Sequence, residues 1–171
     1  MCSVVGSVSC HPPKDDIGGW PDDPDVEAAA YREQAELLRD GGVDAIFVEM
    51  LTEKERALRC VGECLTVGLP VFCGLVCSRY DDNTDPTLQG GADFDEEGWT
   101  SCIGDTDTTT EEVVQSMLAL PGAPAGIAGF NIHHTKIYAT GLACRAVRSA
   151  VAICIKTDEF CIKHDFWIKN D

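Results

Sequence analysis

The chain has 171 residues, of which 44% are hydrophobic and 25% are charged, a composition typical of one globular domain. Its formal net charge of -16 argues against nucleic acid and anionic membrane surfaces as partners, because like charges repel. No apolar run reaches the roughly 20 residues that span a bilayer, and the first residues lack the basic start and the apolar run of a secretory signal.

Ten cysteines occur in the chain. Several fall inside apolar runs, where a reduced cysteine behaves as a small hydrophobic side chain: Cys60, Cys64, Cys73, Cys144 and Cys154. Secreted disulfide frameworks are usually short and rich in loops, and this chain is neither. We therefore expect most of the cysteines to be reduced and buried, and the protein to be cytoplasmic.

The first predicted strand covers 3–9, and a loop rich in proline, glycine and aspartate follows it. Asp25 is the predicted N-cap of a first helix, which ends at Gly41 and Gly42. The apolar positions of this helix form one stripe: Ala30, Tyr31, Ala35 and Leu38.

Apart from Asp44, the run 43–50 is apolar up to Glu49, as in a strand buried on both faces. Thr52 is predicted to cap the second helix in a capping box with Glu55. Cys60 and Cys64 are four residues apart and have the spacing to share a metal, but they lie on the stripe that must pack. The predicted inner face of this helix comprises Ala57, Cys60, Val61, Cys64 and Leu65.

A third strand is predicted at 69–77, and the polar segment 78–110 after it is long enough to be a functional lid or a mobile loop. Thr110 is predicted to cap the next helix. The remaining predicted elements are a fourth strand at 124–132, a helix at 138–150 and a fifth strand at 151–156.

Alternating strands and helices predict a parallel sheet with right-handed crossovers. Two α/β architectures compete: a five-stranded doubly wound sheet, and part of an eight-stranded (β/α) barrel. Ligands bind at the carboxyl ends of the strands in both, so the candidate site residues are His11, Glu49, Cys77, Asn131, His133 and His134.

These candidates admit ordinary and functional interpretations. A carboxylate at position 49 is costly unless it lies at the rim or is paired, so Glu49 is either a rim residue or the partner of a ligand ammonium. His133 and His134 point opposite ways in an extended segment, so one acts as a ligand or acid/base group, or both are loop histidines. A mixed zinc site of His11, Cys77 and one of the pair is a further alternative.

Three segments together resemble the homocysteine S-methyltransferase family: "VVGSVSCHPP", the run from "AAYREQAELLRDGGVDAIFVEM" to "LPVFCGLVC", and "GIAGFNIHHTKI". The resemblance implies a (β/α)8 barrel that methylates the sulfur of homocysteine and so belongs to methionine biosynthesis. It also implies a zinc ion on three cysteines, one of them directly after a Gly-x-Asn. Zinc favours the thiolate, which is the nucleophile.

This sequence departs from that pattern at the metal. Gly129-Phe130-Asn131 matches the Gly-x-Asn, but Ile132 follows in place of cysteine, and no Gly-Gly pair precedes two cysteines. The resemblance therefore leaves no zinc ligands, and the methyl donor stays open. What it carries over is Glu49, which would hold the amino group of homocysteine.

We therefore expect residues 1–171 to form a single, incomplete TIM-type barrel of about five parallel strands, lacking the first two barrel strands and the last. The expected function is methyl transfer to homocysteine or a related thiol. Glu49, Asn131 and His11 would bind the substrate, and His133 or His134 would act on the sulfur. The alternatives are a non-catalytic fragment or pseudoenzyme and a doubly wound binding module.

The strand count has a further consequence, since five parallel strands do not close a barrel of eight. It predicts self-association through the exposed strand edges, or coverage of the open face by the 78–110 segment and the tail.

Overall fold

A computed structural model describes residues 3–10, 23–78, 87–88, 108–134 and 137–157. Its strands are β1 (Val5–Ser9), β2 (Ala45–Leu51), β3 (Val71–Leu75), β4 (Cys77–Ser78), β5 (Thr87–Leu88) and β6 (Ile127–Ile132). Its helices are α1 (Pro24–Asp40), α2 (Lys54–Leu65), α3 (Thr110–Leu118), α4 (Ala123–Gly126) and α5 (Ile137–Thr157).

Four of the strands form one sheet in the order β1-β2-β3-β6, and every neighbouring pair is parallel. The order of the strands across this sheet follows their order in the sequence, without a reversal of direction. A separate antiparallel ribbon consists of β4 and β5. The predicted α/β class with a parallel sheet is therefore confirmed, with four parallel strands rather than five in the described ranges.

The predicted fifth strand was wrong, because 151–156 lies inside α5. Ala143 and Ala150 are fully buried, and Val147 and Val151 pack against the same core. These positions repeat at helical spacing, so the apolar stripe of the helix continues past the start of the proposed strand. The branched residues in this run favour a strand locally, but their spacing continues that of the preceding helix.

The helices pack on one face of the sheet, where neighbouring helices touch each other from α1 to α2, α2 to α3 and α3 to α5. Right-handed crossovers between strands in sequential order place every connecting helix on the same side. Gly6 faces this layer in β1, since a Cβ there would lie 2.6 Å from Cδ2 of Leu38 on α1. We call this side the helix face and the opposite side the open face.

Residues alternate between these two faces along each strand. The helix face carries the core, and its strand residues are fully buried: Val8, Ile46, Val48, Val71, Cys73 and Leu75. Tyr31 and Ala35 of α1 pack against them as predicted, whereas Ala30 is exposed. The predicted inner face of α2 is confirmed, since Ala57, Cys60, Val61 and Cys64 are fully buried and Leu65 is partly buried against the core.

Helix α1 begins earlier than expected. Its N-cap is Asp23, whose carboxylate accepts a hydrogen bond of 2.9 Å from the backbone N–H of Asp25. Pro24 follows at the first helical position, where its fixed φ and missing N–H favour a helix start. The predicted cap at Asp25 was therefore wrong, whereas the predicted end at Gly41 is confirmed.

The other two predicted caps were each wrong by one residue. Glu53 rather than Thr52 precedes α2, without a side-chain capping bond, and Thr52 is buried. Helix α3 has a full capping box, but it joins Thr109 and Glu112. The hydroxyl at 109 reaches the N–H three residues on, and Thr110 is instead buried in the first turn.

Helices α1 and α2 are joined by a buried carboxylate that the sequence did not suggest. Glu27 of α1 is 2% exposed and accepts hydrogen bonds from Tyr31 at 2.8 Å, Arg56 at 2.6 Å and Arg59. Two cations and a hydroxyl compensate for its lost hydration.

None of the helices in the described ranges combines the length and the apolar character that crossing a bilayer demands.

Candidate functional site

The carboxyl end of β2 contains a bulge that determines which way its last residues point. The register between β2 and β3 shifts between Val48 and Leu51, and Met50 has a φ of 61°, in the left-handed region. Because of the extra residue, Leu51 stays buried on the helix face while Glu49 points to the open face. Bulges occur often beside functional sites, because they redirect side chains.

Glu49 is the polar centre of this end of the sheet. The hydroxyl of Ser7 on β1 donates a hydrogen bond to its Oε1, and its backbone carbonyl accepts one of 2.9 Å from the N–H of Cys10. The side chain is half-buried. Within the described residues, no lysine or arginine forms a salt bridge with it.

His133 comes to the same place from the end of β6. Its backbone N–H donates to the carbonyl of Leu75 at 3.1 Å, which extends the parallel pairing by one residue. Its Nε2 accepts a hydrogen bond of 3.3 Å from the N–H of Met50. A nitrogen that accepts carries no proton in that contact, so the neutral imidazole has its proton on Nδ1.

Gly74 on β3 leaves the space that His133 occupies. A Cβ at this position would lie 2.8 Å from Nε2 of His133 and 2.9 Å from Cζ of Phe47. The rings of Phe47 and His133 meet edge to face, with 5.9 Å between their centroids. The absence of a side chain on β3 therefore lets the imidazole lie across the sheet toward Glu49.

Burial lowers the pKa of His133, and the nearby His134 lowers it as well. A hydrogen bond with the backbone of Gly74 and the charge of Glu49 act in the opposite direction. Since desolvation is the largest cause, the pKa lies below the ordinary histidine value. The imidazole is therefore neutral near pH 7 and able to accept a proton.

The remaining predicted residues at this end are less enclosed. His134 is exposed, with a φ of 49° and its ring centroid 5.0 Å from that of His133. Asn131 is exposed and lies opposite Gly74 in the sheet register. The structure thus brings Glu49, Asn131 and the histidine pair to one end of the molecule, as predicted, while their roles stay predictions.

Two other candidates do not join this group. His11 lies outside the described residues. Cys77 is 2% exposed within the core, where it accepts a hydrogen bond of 3.5 Å from the hydroxyl of Thr110. Burial raises the pKa of this thiol to about 11. A buried thiol that holds its proton is a poor zinc ligand, so the described residues do not favour the mixed zinc site, which stays a prediction because His11 lies outside them.

The zinc ion that the resemblance implies does not fit these residues. Ile132, at the position where the resemblance would place a cysteine ligand, packs partly buried against the core. No group of three or more histidine, cysteine or acidic side chains suited to a metal occurs in the part of the chain that the structure describes.

Three features of the site were not predicted from the sequence: the bulge at Met50, the hydroxyl of Ser7 and the space at Gly74. Only the last had a signal in the sequence, because a glycine inside an apolar strand indicates that another group approaches closely. The bulge and the serine contact depend on how strands pair, which the sequence of one strand does not reveal.

The sequence matches no protein-family profile, and a comparison with curated proteins gives no significant match.

Proposed function

We propose that this protein binds a small thiol carrying an amino group, homocysteine or a close relative, and transfers a methyl group to its sulfur. The observation that supports this most is the placement of Glu49 and His133, 84 positions apart in the sequence, at the same end of the sheet, where His133 bonds the N–H of Met50, the residue after Glu49. One group carries negative charge and the other is a neutral base.

Glu49 would bind the ammonium group. A half-buried carboxylate without a protein cation beside it in the described residues is a favourable partner for a ligand cation, because the ligand then supplies the missing charge. Ser7 fixes one carboxylate oxygen and leaves the other to the ligand. Asn131 on the neighbouring part of the open face would contact the carboxylate end of the same ligand.

His133 would accept the thiol proton at Nε2. Its contact with the N–H of Met50 is long for a hydrogen bond, so exchange for a stronger partner costs little. The thiolate would then attack a methyl group on a cationic sulfonium or ammonium donor. The new S–C bond would form as the bond to the donor breaks, and the donor would leave as a neutral molecule.

The described sheet also supports an incomplete (β/α) barrel over the doubly wound alternative. A doubly wound sheet reverses its strand order and carries helices on both faces. Here the order is sequential and the connecting helices share one face, as in a segment of a barrel wall. A cytoplasmic location agrees with the free state of the described cysteines. Cys10, Cys60, Cys64, Cys73 and Cys77 are buried as expected, whereas Cys144 is exposed and was wrongly predicted to be buried.

Binding tests the proposal first. Calorimetric titration with homocysteine should give a measurable Kd, and Glu49→Gln should weaken it by about tenfold to a hundredfold, since a charged hydrogen bond is lost. Glu36→Gln on the exposed side of α1 is the matched control and should bind as the wild type does. Equal binding by all three proteins would remove Glu49 from the site.

Turnover separates the enzyme from its main alternative. Methionine formation would be measured with a methylsulfonium and a methylammonium donor in turn, and His133→Gln should abolish it. The loss of the family's metal-ligand pattern at Ile132 favours a second candidate, a pseudoenzyme that keeps the amine site only. Binding that depends on Glu49, without turnover by any donor, would select that candidate.

A further inference from the structure

The open face of the sheet exposes apolar side chains that a monomeric parallel sheet would cover. Phe72 of β3 is 37% exposed and Val5 of β1 is 52% exposed in the described structure. Phe47 lies beside Phe72 in the register of β2 and β3. Parallel sheets are almost always buried on both faces, so this face needs a partner.

We propose that two copies of the chain join through β1 and β6, so that their sheets close into one eight-stranded parallel barrel. The inference goes beyond the proposed methyl transfer and does not depend on it. Its first support is the strand number, because the described ranges of each copy contain four parallel strands in sequential order and a TIM-type barrel closes with eight.

The outer strands have the required direction. β1 and β6 lie at the two ends of the four-stranded sheet, and both run parallel to the strands between them. A twofold axis along the centre of the barrel would place β1 of one copy beside β6 of the other, again parallel. That symmetry is the commonest one in oligomers and brings both copies of Glu49 and His133 to the same end.

The open face is too small to form the dimer interface by itself, so the strand edges at β1 and β6 must contribute to it. Strands of five to seven residues at the usual rise and spacing give a face of roughly 300 to 400 Å² per copy. A stable interface buries about 800 Å² on each partner, so two faces stacked as a sandwich would be too small. Pairing at both edges adds backbone hydrogen bonds and the loops beside them.

The net charge of the chain makes formation of the dimer dependent on ionic strength. Each copy carries a formal charge of -16, so association brings like charges together. Salt screens this repulsion, whereas it would weaken a dimer held by exposed salt bridges. We therefore expect the dimer to be tighter at high ionic strength.

Sedimentation velocity of the full chain tests the inference, over about 1 to 100 µM protein and about 0.05 to 0.5 M NaCl. The expected result is a concentration-dependent species of twice the chain mass of 18.4 kDa, favoured by salt. A protein that stays monomeric at the highest concentration in both salts would overturn the proposal. That result is expected if another segment of the same chain covers the open face.

Two variants with equal charge changes locate the interface. Phe72→Lys should weaken dimerisation at least tenfold, because it places a charge inside the barrel. Leu37→Lys is the matched control, since Leu37 is 66% exposed on α1 and should leave the dimer unchanged. Equal effects of the two substitutions, or none from the first, would exclude the open face as the interface.

Amide exchange in the wild-type protein provides a measurement that needs no variant. Protection of the backbone N–H groups of β1 and β6 should rise with protein concentration, while that of β2 and β3 should not. Uniform protection at every concentration would contradict edge pairing even if Phe72→Lys failed to fold.

Discussion

Glu27 and Glu49 are both at least half-buried, but the charges around their carboxylates differ. Glu27 lies between α1 and α2, almost fully buried, with Arg56, Arg59 and Tyr31 around it. Glu49 lies half-buried on the open face with one serine hydroxyl on its oxygen and, among the described residues, no salt bridge to a lysine or arginine.

These surroundings distinguish a structural acid from a candidate binding acid. The charge of Glu27 is neutralised by side chains of the same protein. The network joins two helices, and its carboxylate is not available to bind a ligand. Glu49 is positioned by a bulge and a hydrogen bond, but its charge has no protein counterion in the described ranges. We expect the first residue to control stability and the second to control binding.

The largest expected effect comes from exchanging each acid for its amide. Glu27→Gln should lower the free energy of unfolding by about 4 kcal/mol, since two partly buried arginines lose their anion. Glu49→Gln should change it by less than about 0.5 kcal/mol. Urea denaturation followed by circular dichroism measures both, and similar losses would refute the distinction between them.

A second pair of variants compares the two faces within β3. Leu75→Ala on the helix face should cost about 3 kcal/mol, because it leaves a cavity in a close-packed core. Phe72→Ala on the open face should cost about 1 kcal/mol in the monomer at low protein concentration, although it removes more atoms. A larger loss at Phe72 than at Leu75 under these conditions would mean that the open face is covered by the chain itself.

A third pair tests the space beneath the imidazole. Gly74→Ala should cost about 1 to 3 kcal/mol and displace His133, because the new methyl group meets that ring, Phe47 and the carbonyl oxygen of Val48. Gly62→Ala in α2 is the control, since nothing lies within 4 Å of its Cβ position. It should stabilise the helix by about 0.5 to 1 kcal/mol. Loss of homocysteine binding in the first variant alone would support the site.

The helix face could be predicted well from the sequence, and the reason is periodicity. Tyr31 and Ala35 repeat at helical spacing, and so do Cys60 and Cys64, so a local pattern identifies which side packs. The same rule failed for 151–156, where branched residues with high strand propensity continue a helix. There the packing of Ala150 and Val151 against the core continues the helical stripe and outweighs local preference.

The site could be predicted only in part. The ends of parallel strands meet at one edge, and that rule alone brought Glu49 and His133 together from distant segments. This rule does not predict the hydrogen bond between Met50 and His133. That bond depends on a bulge at Met50, and a methionine gives no sequence signal for a bulge. The buried charge of Glu27 was missed for a related reason, since its partners lie on another helix.

The smallest expected effect is a pH dependence that belongs to His133. Its pKa is lowered in the folded state, so the unfolded chain binds more protons at this side chain as the pH falls through about 6.5. Stability should therefore decline from about pH 7.5 to about pH 5, by less than about 1 kcal/mol because the ring is half exposed. His133→Gln should remove that part of the slope, whereas His134→Gln, at an exposed position, should retain most of it, because desolvation of His133 is the largest cause of the shift. Denaturation curves for the three proteins measure the difference, and an unchanged slope in His133→Gln would show that the imidazole is not held neutral between Met50 and Gly74.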